Sequence, residues 1–80
     1  MTKRVDQPIA VTHDPRGRPQ RFCWRRREVA IREILDHWEE AGCWWLGERP
    51  RRVYRARAAD GALYELHHRA DGWRLYRAFD

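Results

Sequence analysis

Serine is absent from the 80 residues, and lysine occurs once, at Lys3. The first absence removes a serine nucleophile from any catalytic reading. The two cysteines, Cys23 and Cys43, have no local signature that would activate a thiolate. No CxxC pair occurs, so neither a redox motif nor structural zinc has its usual spacing. Apolar runs are short, with nothing approaching the ~18 residues of a membrane-spanning helix, and there is no signal peptide. These absences predict a soluble, cytoplasmic chain with reduced thiols. Internal repeats, low-complexity tracts and domain-dividing linkers are also missing. A single domain over residues 1–80 is expected, with residues 1–7 a frayed polar end.

What the chain does contain is aromatic bulk and arginine. Five Trp, three Tyr and two Phe are present, and each buried ring removes roughly 150–250 Å² from water. A core of this size supports a binding surface more readily than a deep catalytic cleft. Lys and Arg total 17 for a formal net charge of +5. Guanidinium forks recognise phosphate and carboxylate bidentately and stack on rings. Arginine-favouring codon usage accounts equally well for the Arg/Lys ratio, but not for where the charges sit. Arg16, Arg18, Arg21, Arg25, Arg26, Arg27 and Arg32 share one segment with the single acid Glu28. Glu33, Asp36, Glu39, Glu40 and Glu48 follow, then Arg49, Arg51, Arg52, Arg55 and Arg57. Blocks of alternating sign are able to neutralise one another within a fold.

Residues 20–35 organise the reading. Phe22 and Trp24 alternate with Arg21, Cys23 and Arg25, the chain turns at the arginine triplet, and Val29, Ile31, Ile34 and Leu35 resume the apolar pattern. Strands are predicted at residues 8–12, 20–25 and 27–35, the last reaching about Trp38 across a bulge near Arg32 and Glu33. Ile31, Ile34, Leu35 and Trp38 also fit helical spacing ahead of Gly42, so a short helix at 33–41 remains the alternative. Of Trp44 and Trp45, at least one ring is expected to point inward. The last third reads as a three-stranded meander, residues 53–58, 62–68 and 73–79, with turns at Asp60-Gly61 and Ala70-Asp71-Gly72. Trp73, Leu75 and Phe79 are expected on one face. The predicted core is Trp24, Ile31, Leu35, Tyr64, Leu66, Trp73 and Leu75. The fold class is mainly β: a strongly curved antiparallel sheet or open barrel of five to six strands.

Two basic surfaces are candidate sites. The first joins the tip Arg25, Arg26 and Arg27 to Arg21 on the same strand and to Arg16 and Arg18 in the preceding turn. The second is Arg51, Arg52, Arg55 and Arg57 with Arg49, where Val53, Arg55 and Arg57 face one way and Tyr54, Ala56 and Ala58 the other. Arginines beside exposed rings suit the phosphates and bases of single-stranded nucleic acid. The bland alternative is a polar outer face paired with acids. His67 and His68 point to opposite faces of a strand and do not share a metal, so no metal or cofactor is expected. The carboxylates Glu39 and Glu40 sit in what reads as a turn, and no enzyme activity is expected.

The segments WRRR (24–27), ILDHW (34–38), WWLGE (44–48) and WRLYRAFD (73–80) resemble a small bacterial domain of unknown function. That domain occurs free-standing and at the C-terminal ends of ImuB-like proteins, catalytically degenerate relatives of Y-family DNA polymerases. The resemblance spans residues 8–80 and implies glycine at the hairpin tip, where Arg26 stands here. It implies an accessory role near translesion DNA synthesis and supplies no catalytic residues. The expected function is therefore a non-enzymatic module that contacts nucleic-acid phosphates through its arginines. The alternative is a docking module that holds an acidic protein partner with exposed aromatic and charged patches.

Overall fold

Six antiparallel strands close into a barrel whose neighbours follow chain order: β1 (Thr2–His13), β2 (Pro19–Trp24), β3 (Arg27–Glu40), β4 (Arg51–Ala58), β5 (Leu63–Arg69) and β6 (Gly72–Phe79). The structure is a computed structural model that describes residues 2–42, 44–47 and 49–79. A single 3-10 turn, Trp44–Leu46, lies in the β3–β4 connection, and there is no α-helix among the described residues. No helix is long and apolar enough to cross a membrane.

Closure depends on two long strands that each serve two neighbours. β1 pairs with β6 over Thr2 to Ile9 and with β2 from Ala10 onward. β3 pairs with β2 from Arg27 to Ala30, then with β4 from Ile31 to Glu40. The end expected to fray is thus the closing strand: Thr2 lies opposite Phe79 and Arg4 opposite Arg77. Pro8 falls where β1 has only β6 beside it, so its missing N–H leaves no second ladder incomplete.

Bulges make the bends. Arg32 is the extra residue between the pairs Ile31–Ala58 and Glu33–Arg57, and Leu35 is extra between Ile34–Ala56 and Asp36–Arg55. The helical spacing of Ile31 and Ile34 is the imprint of the first bulge, and residues 33–40 continue as strand rather than forming the alternative helix. Leu35, placed in the core from the sequence, sits on the second bulge and is 41% exposed. In β6, Tyr76 is extra relative to β5, which turns Ala78 inward and Phe79 away from the face of Trp73 and Leu75. Beside it, β1 bulges at Asp6, whose φ of 48° bends the strand. Arg74 clamps that bend, donating from Nε to Asp6 Oδ1 and from Nη2 to the Asp6 carbonyl, both at 3.0 Å.

The core lies mainly on β4, β5 and β6. Tyr54, Ala58, Tyr64, Leu66, Trp73, Leu75 and Ala78 are buried with Phe22 of β2, and Trp24 and Ile31 pack half-buried against them. Phe22 meets the Tyr64 ring edge-on at 5.2 Å. Trp45 and Leu46 on the 3-10 turn are 68% and 70% exposed, whereas Cys43, Glu48 and the Trp44 side chain lie outside the described residues.

The β2–β3 hairpin turns on Arg25 and Arg26, with φ of 53° and 61°. Positive φ at both central positions belongs to a two-residue type I′ turn, where Asn-Gly is favoured. Arginine there carries a backbone cost of about 1 kcal/mol per residue. Arg26→Gly is expected to stabilise the domain by about 1 kcal/mol, raising Tm by roughly 4–8 °C, and an unchanged Tm would contradict the strain. Trp73→Ala should cost about 3–5 kcal/mol, while Leu35→Ala stays within about 0.5 kcal/mol. Urea titration of the two variants distinguishes core from bulge.

Candidate nucleic-acid interface

Strand direction sorts the connections between the two mouths of the barrel. One mouth holds the β1–β2, β3–β4 and β5–β6 connections; the other holds the β2–β3 and β4–β5 hairpins. Arg16 and Arg18 therefore lie at the first mouth and Arg25, Arg26 and Arg27 at or beside the second. The six residues of β2 separate them, about 20 Å at a strand's rise. The first basic surface, expected as one site, is divided by the strand that was thought to join it.

Register decides which arginines remain free. Glu33, Asp36, Glu39 and Glu40 of β3 stand opposite Arg57, Arg55, Arg52 and Arg51 of β4. Arg52 bonds Glu39 at 2.8 Å, Arg51 bonds Glu40 at 3.1 Å, and Arg57 lies 3.8 Å from Glu33. Arg55 stands over the Trp38 and Phe79 rings at 5.7 and 5.9 Å. Glu39 and Glu40 thus end a strand instead of forming a turn. Val53 apart, the face carrying Arg55 and Arg57 is exposed and the face of Tyr54, Ala56 and Ala58 is buried. Exposed pairs of this kind contribute at most about 1 kcal/mol each, but they engage Arg51, Arg52 and Arg57 of the second basic block. Arg21 is likewise paired, with Glu28 at 3.1 Å.

Arg16, Arg18, Arg25, Arg26 and Arg27 make no ion pair with the described residues. Asp14 holds the β1–β2 loop from inside, its Oδ1 accepting the backbone N–H groups of Arg16 and Arg18 at 2.9 Å each. That spends the local carboxylate on backbone and leaves both guanidinium groups exposed. At the other mouth Arg25 covers the Trp24 ring at 4.5 Å.

Three depressions sharing walls cross the first mouth. One, of about 430 Å³, is lined by Arg16, Arg18, His37, Trp38, Glu39, Arg52 and Tyr54. The second shares Glu39 and Arg52 with it and continues over Pro50, Arg51, His68, Arg69 and Ala70. The third shares Arg51, Arg69 and Ala70 and ends at Gly47, Arg49 and Asp71. A row of rings enters this mouth from the core: exposed His37 lies 6.0 Å from buried Tyr54, Tyr54 is 5.5 Å from buried Trp73, and exposed His68 stacks on Trp73 at 4.1 Å and 4°. Glu39 and the Tyr54 hydroxyl raise the pKa of Arg52 and keep it firmly charged. His37, Trp38, His68 and Arg69 were not among the nucleic-acid contacts expected from the sequence, where His68 was weighed only as a metal ligand. Counting strand directions would have found them, because odd-numbered strands end at this mouth.

Outside the barrel, β5 carries a second buried patch. His67 and Glu65 are 2% and 8% exposed although they face away from the core, beside Val53 at 1%. His67 stacks on Tyr76 at 4.3 Å, and its Nε2 lies 2.9 Å from Glu65 Oε2. His67 and His68 stack on different rings on opposite faces of β5, so the two imidazoles do not converge. Cys23 is a free, exposed thiol, and Cys43 lies outside the described residues.

The family match runs over residues 1–80. The chain belongs to the DUF6504 family, a domain of unknown function. No curated protein and no solved structure matches it. For this DUF6504 domain the barrel mouth is accordingly judged on its own chemistry.

Burial holds the His67 imidazole below its usual pKa, against the opposing pull of Glu65, and burial likewise lowers His68 with help from the Arg52 charge. The unfolded chain takes up these protons first as pH falls. The stability they contribute is complete above about pH 6.5 and is lost as pH drops through the lower folded-state values. Tm should therefore decline between pH 7.5 and 5, and His67→Gln should shrink that decline to the part owed to His68. A pH-independent Tm over this range would contradict the assignment.

Proposed function

We propose that this DUF6504 domain is a non-enzymatic module that binds single-stranded nucleic acid across the first mouth of the barrel. The observation that carries the reading is the coincidence of Arg16 and Arg18, without an ion pair among the described residues, with a groove that contains Arg52, half-buried Trp38 and the exposed rings of His37 and His68. Guanidinium groups spaced along a groove suit phosphates, and each exposed ring offers a base about 1–3 kcal/mol of stacking. No element here has the form of a helix presented to a major groove, so contacts to phosphate and to base faces are favoured over base-edge readout. The arginine tip at the far mouth lies outside this groove. The sequence resemblance to the C-terminal domains of ImuB-like proteins supports a setting in DNA repair or translesion synthesis.

A second reading, docking of an acidic protein partner, is favoured by exposed Trp45 and Leu46 in the β3–β4 connection at the same mouth. Fluorescence anisotropy with a labelled single strand separates the two. Strand binding should weaken steeply with salt and vary little with sequence. Arg16→Gln with Arg18→Gln should shallow the log-log salt slope by about 1.4 units, at about 0.7 per phosphate contact on single strands, without lowering Tm. Replacing Arg25, Arg26 and Arg27 by Gln should leave the slope unchanged. Absence of binding at about 20 mM salt would end the nucleic-acid reading and put docking in its place.

A further inference from the structure

At the end of the groove the chemistry changes. The cavity there has a volume of about 450 Å³, and its lining among the described residues includes Arg49, Arg51 and Arg69 with Asp71. Arg51 donates from one Nη to Glu40 at 3.1 Å, while its Nε is shut away from solvent with no partner among the described residues. The Nε of Arg69 is in the same condition. Buried side-chain donors in folded proteins are nearly always satisfied, and these two belong to side chains that line the same cavity. Half-buried arginines with an unused inner edge are held in place by packing, not by a full set of internal bonds. Arg51 commits one Nη to Glu40 and Arg69 has no ion pair among the described residues, so guanidinium donors remain for an anion on the cavity side.

We propose that this cavity is a binding site for a phosphate monoester, the doubly charged group found at the end of a nucleic-acid strand or on a mononucleotide. An internal phosphodiester carries one charge and needs room for two ester arms, which suits the open groove. A monoester carries nearly two charges at neutral pH and three terminal oxygens, enough to engage three guanidinium forks. The Ala70-Asp71 turn, with Gly47 and Arg49, walls the cavity where the groove stops. As a strand-end site it rests on the strand-binding reading; as a mononucleotide site it stands without it.

The test compares one labelled oligonucleotide carrying a 5′-phosphate, a 3′-phosphate or only hydroxyl ends, together with adenosine monophosphate and inorganic phosphate as free probes. One phosphorylated end should bind about tenfold more tightly than the hydroxyl-ended strand. Arg49→Gln, at an exposed residue outside the strands, should bring the three strands to a common affinity, with Tm and far-ultraviolet dichroism confirming the fold. If no strand binds, but adenosine monophosphate or inorganic phosphate raises the Tm of the wild type and not of Arg49→Gln, the cavity stands and the strand-binding reading falls. Strands binding equally whatever their ends, with no Tm response to either free probe, would overturn the cavity assignment and leave strand binding intact. Equal responses from wild type and Arg49→Gln would also overturn it.

Discussion

Closing six strands into a ring with so few residues is the constraint from which the other features follow. A short, flat set of strands cannot meet edge to edge, so β1 and β3 bend sharply enough to belong to two sheets at once. Each bend consumes an extra residue: Asp6 in β1, Arg32 and Leu35 in β3, Tyr76 in β6. The Asp6 bend is secured by charge. Arg74 holds its carboxylate, and that hydrogen bond lowers the Asp6 pKa against the opposing effect of burial. Closure gives β4, β5 and β6 a neighbour on both edges, whereas residues 2–9 of β1 and 31–40 of β3 each have a strand on one edge alone among the described residues.

The same ring sets the electrostatics. Antiparallel neighbours bring the acidic segment of β3 against the basic segment of β4, so consecutive blocks of opposite charge become facing rows. Arg16, Arg18, Arg25, Arg26 and Arg27, none of them in an ion pair with the described residues, lie at or beside the mouths. Rings accumulate at the first mouth because its strand ends carry His37, His68 and Trp73.

Much of the β architecture was legible. Alternation from residues 53 to 58 gave the buried and exposed faces of β4, and Asp60-Gly61 marked a turn in which Gly61 takes φ 91°. The bulge near Arg32 was readable because only an extra residue reconciles Ile31 with Ile34. Other features depended on partners distant in sequence. The polar segment 2–7 shows no strand pattern of its own and is ordered by β6. Leu35 looks like core until the second bulge is counted. Glu65 and His67 occupy outward positions that local alternation assigns to solvent; the Tyr76 ring covers His67 from β6, and Glu65 is bonded to His67. The basic surface was misjudged as continuous because neighbours in sequence on either side of a strand sit at opposite mouths.

The ladder between β1 and β6 has a kinetic meaning as well. Every other pairing joins consecutive strands and closes over a short loop, whereas this one joins Thr2 to Phe79 across the length of the chain. Loop-closure entropy concentrates in that single step, so the meander is free to assemble before the ring does. Thr2 and Phe79 stand side by side at the second mouth. Tying them together and opening the chain at the exposed Asp60-Gly61 turn would make the slow pairing a local hairpin and transfer the burden of ring closure to β4 and β5, which carry Tyr54, Ala58, Tyr64 and Leu66 of the core.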